Sequence, residues 1–233
     1  MKVTVAIILA GGLGTRLRGT VPGLPKPMAP INGRPFLEYL MDYWIEQGIS
    51  RFVLSIGYLS QSIINHFGKK YRETSIHYII EESPLGTGGG LLMSAKGLTE
   101  PFLVLNGDTF FEVDLKDLTA FHEKNKSGWT ISLFSTTNLE RYMSIEITKT
   151  GKILKMKVNN NQSSYVANGG VYLINPLALK NMDKPQHKII SLEDELLPEF
   201  ISSGGVLYGL ECFGSFIDIG IPRDYYRATE ILF

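Results

Sequence analysis

Three glycines, an arginine and a lysine lie close together near the start of the chain, in the stretch "LAGGLGTRLRGTVPGLPKPMAPI" from Leu9 to Ile31. Gly11, Gly12 and Gly14 let backbone N–H groups approach an anion closely and adopt positive φ where a side chain would clash. Arg16 and Lys26 add charge that the backbone cannot supply. The combination reads as a polyphosphate site, and its plainer alternative is a glycine-rich turn carrying two solvated cations. "GGLGTR" lacks the spacing of the dinucleotide-binding GxGxxG, and no acidic residue closes the second strand. No GK[ST] ends the loop, which excludes a P-loop.

The elements that must position these residues follow from hydrophobic periodicity. Val3 to Leu9 is a short β-branched run ending in glycines, which predicts a buried parallel strand followed by a loop rather than a signal peptide. "FLEYLMDYWIEQ", Phe36 to Gln47, has helical spacing and is closed by Gly48. A strand in "RFVLSIGY", a helix from Ser60 to Phe67, a strand at Ile76 to Ile80, a helix from about Gly89 to Lys96 and a strand at Phe102 to Leu105 continue the alternation. Such βα repetition implies a Rossmann-like, mixed and mostly parallel central sheet flanked by helices, with ligands outside the carboxyl ends of the strands. After Asp108 come a helix from Leu115 to Lys126 and strand-like runs "WTISLFST", "MSIEIT", "KILKMKV" and "YVANGGVYLI". "VNNNQSSY" reads as a mobile loop. Ser191 is an N-cap with Asp194 at the third helical position, where a capping box usually has glutamate. A strand at Val206 to Leu210, the segment "FIDIG" and a helix from Pro222 follow. One α/β domain over 1–233 accounts for the whole pattern.

Composition narrows the function. The 233 residues carry 23 basic and 23 acidic side chains, so no global field draws in nucleic acid or an anionic membrane, and any anion site is local. A lone Cys212 excludes an internal disulfide and, without a Cys/His cluster, a structural zinc site. That fits a cytoplasmic location. No apolar run approaches the roughly 18 residues of a membrane-spanning helix.

Beyond these physical readings, the chain resembles the sugar-phosphate nucleotidyltransferases, whose signature is a strand, GGxGTRL, a spacer and PKPM. Here these stand as "AGGLGTRL" from Ala10 and "PKPM" from Pro25. The resemblance extends through "EESPLGTGGGL" from Glu81, "LNGDTFF" from Leu105, "NGGVYLI" from Asn168 and "FIDIGIPRDYY" from Phe216. It implies an enzyme joining a nucleoside triphosphate to a sugar 1-phosphate, with release of pyrophosphate. The backbone from Gly11 to Thr15, with Gly11, Gly12, Gly14 and Thr15, would cradle the triphosphate, and Leu9 and Ala10 would also contact the nucleotide. Arg16 would offset the leaving pyrophosphate, and Lys26 would sit near the α-phosphate. An ionised phosphate oxygen is already a nucleophile, so no general base is required, which agrees with the lack of a catalytic triad. Asp108 after one strand and Asp218 in "FIDIG" would hold Mg²⁺, a cation that takes few protein ligands. A lone Asp at such a place also serves as a turn or cap residue.

By the same resemblance, Glu81, Glu82, Pro84, Leu85, Gly86 and Thr87 lie against the nucleobase. A carboxylate there favours guanine, hence GTP, because guanine presents two adjacent donors, and the plainer alternative is two solvated glutamates ending a strand. Asn106, Asn168, Gly169, Gly170 and Glu193 would contact the sugar. The motifs and the chain length look closest to short guanylyltransferases acting on D-glycero-D-manno-heptose 1-phosphate, which serve surface polysaccharide synthesis. Mannose 1-phosphate guanylyltransferases, glucose 1-phosphate thymidylyl- or uridylyltransferases and a catalytically weak regulatory homologue are the alternatives. A glycosyltransferase fits worse, since no Asp-x-Asp follows the central strand. The sequence allows a homodimer. Two positions depart from the family: "RYM" at Arg141 to Met143 replaces RYG, and Met156-Lys157-Val158-Asn159 replaces F-x-E-K, whose lysine holds the sugar phosphate. Lys157 is the candidate substitute. Strand alternation places Lys155 and Lys157 opposite Leu154, Met156 and Val158, so a bulge or slip is needed to bring Lys157 inward.

Overall fold

A computed structural model describes residues 1–138, 141–156, 165–180, 182 and 188–232. The first half runs β1 (Val5–Ala10), β2 (Pro30–Ile31), β3 (Arg34–Pro35), α1 (Phe36–Glu46), β4 (Arg51–Ile56), α2 (Ser60–Phe67), β5 (Lys70–Tyr71), β6 (Thr74–Ile80), α3 (Gly86–Ser94) and β7 (Phe102–Asn106). It continues with β8 (Thr109–Phe111), α4 (Leu115–Lys124), β9 (Trp129–Thr136), β10 (Ser144–Ile147), β11 (Ile153–Met156) and β12 (Tyr165–Ile174). The chain closes with α5 (Leu197–Ser202), β13 (Leu207–Glu211), β14 (Phe216–Asp218) and α6 (Pro222–Ile231).

The main sheet is ordered β11-β10-β12-β7-β1-β4-β6-β5, with β9 on β12 and β13 on β9. Its centre, β7-β1-β4-β6, is parallel. From β1 the chain winds outward through β4 and β6, then returns to pair β7 on the other side of β1. The strand order therefore reverses between β1 and β7, where a crevice opens beyond their carboxyl ends. Both faces of the centre are covered: Ala6 and Ile8 join one buried cluster with Phe36, Leu37 and Trp44, whereas Ile7 joins a second with Val104, Trp129 and Tyr172. Burial on both faces explains the unbroken apolar run of β1.

Beyond β7 the pairing becomes mixed: β12 runs antiparallel to its neighbours, whereas β13 lies parallel to β9. β12 pairs β7, β9 and β10, and its register against β9 shifts between Asn168 and Tyr172. The small antiparallel pair of β8 and β14 stands apart from the main sheet and sets Asp218 opposite Thr109.

Several local readings change. α3 begins at Gly86 rather than near Gly89, because its glycines sit where side chains would strike Ile190, Leu85 and Ser55. Close packing thus outweighs the poor helix propensity of glycine. Ser191 caps as expected, its Oγ accepting from Asp194 N at 3.0 Å. The reciprocal carboxylate is Glu195, whose Oε1 accepts from Ser191 N at 3.1 Å. The first turn, Leu192–Leu196, is a π-turn. Pro198 explains it: a proline cannot donate to the carbonyl four residues back and crowds it. In β11, Ile153 is buried while Leu154 is 53 % exposed, contrary to the simple alternation. A register irregularity between Glu146 and Ile147 is the cause. Lys157 and most of "VNNNQSSY" lie outside the described residues.

Candidate active site

The crevice between β1 and β7 is a cleft of about 370 Å³. It is lined by the Leu9 to Arg16 segment, Lys26, Glu81, Pro84, Gly86, Thr87, Asn106 and Asp108. Arg16 is exposed and has no ion pair among the described residues. Arg18 instead donates to Leu13 O at 3.1 Å and stacks over Tyr58, bracing the loop from behind.

Lys26 is held in a single turn, Lys26–Met28, between Pro25 and Pro27. Its Nζ pairs with Asp108 Oδ2 and lies 3.9 Å from Asp218 Oδ1. Pairing of β8 with β14 brings the two carboxylates together, and Ile219 N donates to Asp108 O at 3.0 Å. Burial would push the Asp108 carboxyl up, but the Lys26 ammonium and the Thr109 hydroxyl hold it below the ordinary carboxylate range. Asp218 Oδ1 accepts from Gly220 N at 2.6 Å. Two hard oxygen donors around one cationic position suit Mg²⁺, which completes its shell with phosphate and water. No third metal-ligating side chain joins them among the described residues.

On the opposite wall, Glu81 and Glu82 separate. Glu81 faces the cleft, with Oε1 accepting from Ser55 Oγ at 2.8 Å and Oε2 from Leu85 N at 3.1 Å. Gly11 is required here, since a Cβ would stand 2.7 Å from Glu81 Cδ and closer still to Oε1. Glu82 is exposed and lines a second, larger groove of about 1070 Å³ on the far side of α3. Leu85 is buried and turned toward that same groove. These two are corrections: neither borders the cleft. Gly86 has φ +75°, and a Cβ would stand 3.0 Å from Ile190 C, so only glycine lets the helix start pack against the Ile190 backbone at the cleft wall.

The residues expected at the sugar form a chain of hydrogen bonds. Asn168 Nδ2 donates to Tyr172 Oη at 2.6 Å, and Tyr172 Oη donates to Glu193 Oε1 at 2.9 Å. Thr87 Oγ1 donates to Glu193 Oε2 at 3.1 Å. Burial first, and then Glu193, push the Tyr172 phenol well above its ordinary range, so it stays a donor. Asn168 Oδ1 accepts from Gly170 N at 2.9 Å, and Gly170, at φ +73°, backs onto Asn106. Gly169 is different. It is buried, and a Cβ there would meet the Phe111 ring. Tyr172 and Arg141 were not singled out as site residues from the sequence. Tyr172 is hidden in an apolar strand, and Arg141 was noticed only as part of an altered tripeptide.

The glycine-rich loop, the lysine set between two carboxylates and the polar pocket alongside thus meet at the switch point of an open α/β sheet, the place where this architecture binds ligands. The chain belongs to the nucleotidyl transferase family, whose model matches residues 5–232. Among curated relatives, it is 41 % identical over 228 residues to the D-glycero-alpha-D-manno-heptose 1-phosphate guanylyltransferase of Aneurinibacillus thermoaerophilus, covering 97 % of each chain. It is 35 % identical to the enzyme of the same name from Campylobacter jejuni, covering 95 % of this chain and 97 % of that one. Among solved structures, HddC from Yersinia pseudotuberculosis complexed with GMP-PN has a TM-score of 0.83 at 36 % identity, over 98 % of this chain and 99 % of that one.

Proposed function

We propose that this enzyme transfers a guanylyl group from GTP to D-glycero-D-manno-heptose 1-phosphate, with Mg²⁺ held by Asp108 and Asp218. The observation that carries the reading is the convergence of Asp108, Lys26 and Asp218 at the foot of the Gly11 to Arg16 loop. The sugar phosphate oxygen forms a bond to the α-phosphorus as the bond to the bridging oxygen of the β-phosphate breaks, and pyrophosphate leaves with both electrons. The task is to bring polyanions together and stabilise the leaving group. The glycine loop offers backbone N–H groups to the triphosphate, Arg16 meets the pyrophosphate charge, and Lys26 lies nearest the reacting phosphate. Mg²⁺ held by Asp108 and Asp218 would supply further positive charge to the phosphates. Glu81, kept in place by Ser55 and Leu85 N, accepts from the paired donors of guanine. The identity to two heptose 1-phosphate guanylyltransferases supports the choice of base and sugar. No described helix is long and apolar enough to cross a membrane, and the lone half-buried Cys212 fits work in the cytoplasm on the way to surface polysaccharide.

The test is pyrophosphate release with Mg²⁺, each of four nucleoside triphosphates and a panel of sugar 1-phosphates. GTP with the heptose phosphate is expected to give the highest kcat/KM. Faster turnover with UTP or dTTP overturns the base assignment, and no turnover with any pair overturns catalysis itself.

A further inference from the structure

Arg141 ties three segments together behind the cation position. Its guanidinium donates to Asp218 O at 2.9 Å and to Asp218 Oδ2 at 3.0 Å, and pairs with Asp224 on α6. Asp224 is only 5 % exposed and also accepts from Arg227 Nη1 at 3.0 Å. Arg141 is itself pinned, because it lies against the Tyr142 ring, which packs edge-on to Phe134 and Phe216. Phe216 belongs to the same short strand as Asp218 and stacks on Phe134 at 3.8 Å. One side of the Asp218 carboxylate is thus taken up by a fixed cation, and only Oδ1 is turned toward Lys26.

We propose that Arg141 is a positioning residue that holds Asp218 as a one-oxygen ligand and offsets its charge, so that the divalent cation enters with the triphosphate rather than ahead of it. This rests on the reading of Asp108 and Asp218 as metal ligands. Among the described residues, Asp108, Asp218 and Asp224 face Lys26, Arg141 and Arg227, leaving no surplus negative charge to capture a free divalent ion. Once the triphosphate is bound, its oxygens add the negative charge and the remaining donors. Asp224 sets how strongly Arg141 acts on Asp218, because the guanidinium is shared between the two carboxylates.

The charge argument gives opposite signs for two variants. Removing the unit charge beside a ligand carboxylate, in a water-screened site, raises divalent affinity about tenfold. Mn²⁺ binding to nucleotide-free protein, followed by electron paramagnetic resonance, is therefore expected to tighten about tenfold in Arg141→Met. It is expected to weaken severalfold in Asp224→Asn, where Arg141 acts on Asp218 alone. Arg141→Lys keeps the charge and should bind Mn²⁺ like the parent protein. With Mg²⁺ saturating, kcat should still fall in Arg141→Met, because Asp218 loses its orientation. A merely structural role for Arg141 would weaken Mn²⁺ binding and turnover together. Equal or weaker Mn²⁺ binding in a cooperatively melting Arg141→Met overturns the proposal. If that variant does not fold, tighter or unchanged binding in Asp224→Asn overturns it instead. Asp108→Asn separates the two readings. If it leaves Mn²⁺ binding unchanged, the metal-site reading fails and this proposal with it; if it weakens binding while Arg141→Met does not tighten it, only this proposal fails.

Discussion

Adding one methyl group at Gly11 tests the base wall of the cleft. In Gly11→Ala the new carbon would stand 2.7 Å from Glu81 Cδ, so the carboxylate must move. A free glutamate end would swing aside at little cost, but this one accepts from Ser55 Oγ and from Leu85 N. Ser55 is fully buried, so losing its partner leaves a hydroxyl without water. Hydrogen bonds to a charged group are worth about 1.5–3 kcal/mol each, and losing most of two gives a destabilisation of about 3 kcal/mol. In a chain of this length that lowers Tm by roughly 6–12 °C. Gly12→Ala is the control, since a Cβ there meets nothing within 4 Å, and its effect should stay within about 0.5 kcal/mol. Calorimetric melting of the two variants gives the first reading. Titration with GTP and UTP gives the second: displaced from the wall, Glu81 can no longer favour guanine, and the preference for GTP should collapse in Gly11→Ala. Equal Tm values for the two variants, or an undiminished preference for GTP, would refute the assignment of Glu81 as a fixed base contact.

Arg16→Ala should leave the melting temperature unchanged, as the side chain is exposed, while turnover drops about 100-fold, the usual cost of a lost transition-state contact; rate measurements at saturating substrates check this. Asp108→Asn and Asp218→Asn should each lose Mg²⁺-dependent turnover, and unchanged metal dependence in both would place the cation elsewhere. His122 gives a pH test away from the cleft. Burial holds its pKa at about 4 against an ordinary 6.5, despite Glu123, so the unfolded chain takes up the extra proton between those values. Stability present in full above about pH 6.5 should therefore fall toward pH 4 by about 3 kcal/mol, and urea melts of His122→Gln should lack that part of the slope. Lys157→Ala should raise the KM for sugar 1-phosphate and Lys155→Ala should not; if neither does, another cation holds that phosphate.

Residue type combined with position at a strand end made much of the site legible. Gly11 to Arg16 follows β1 and Asn106 ends β7 with Asp108 two residues beyond, so periodicity carries these to one sheet edge, whereas Asp218 ends β14 outside the main sheet and only the family resemblance pointed to it. Pairs decided by the facing of neighbours were not legible. Glu81 and Glu82 are chemically identical, and only the packing of Gly11 and Ser55 selects the first. Gly169 and Gly170 look alike in sequence, yet one makes room for Phe111 and the other turns the strand back against Asn106. Tyr172 could not be distinguished from core residues because its ring is core and only its hydroxyl joins Asn168 to Glu193. In β11, one irregularity in register moved Ile153 inward and Leu154 outward, a shift that simple alternation cannot anticipate.

The pairing of β8 with β14 also bears on how the protein comes off the ribosome. Asp108 and Asp218 are separated by nearly half the chain, and the hairpin-like contact that unites them closes one of the longest loops in the fold. At roughly 5–20 residues per second, about 5–20 s pass between the synthesis of the first carboxylate and the second. During that interval β1, the glycine loop, α1, β4, β6 and β7 have already been made, and Lys26 has Asp108 but not Asp218 within reach. On the proposed assignment, the second carboxylate reaches Lys26 only once β14 has been made and Phe216 can stack on Phe134.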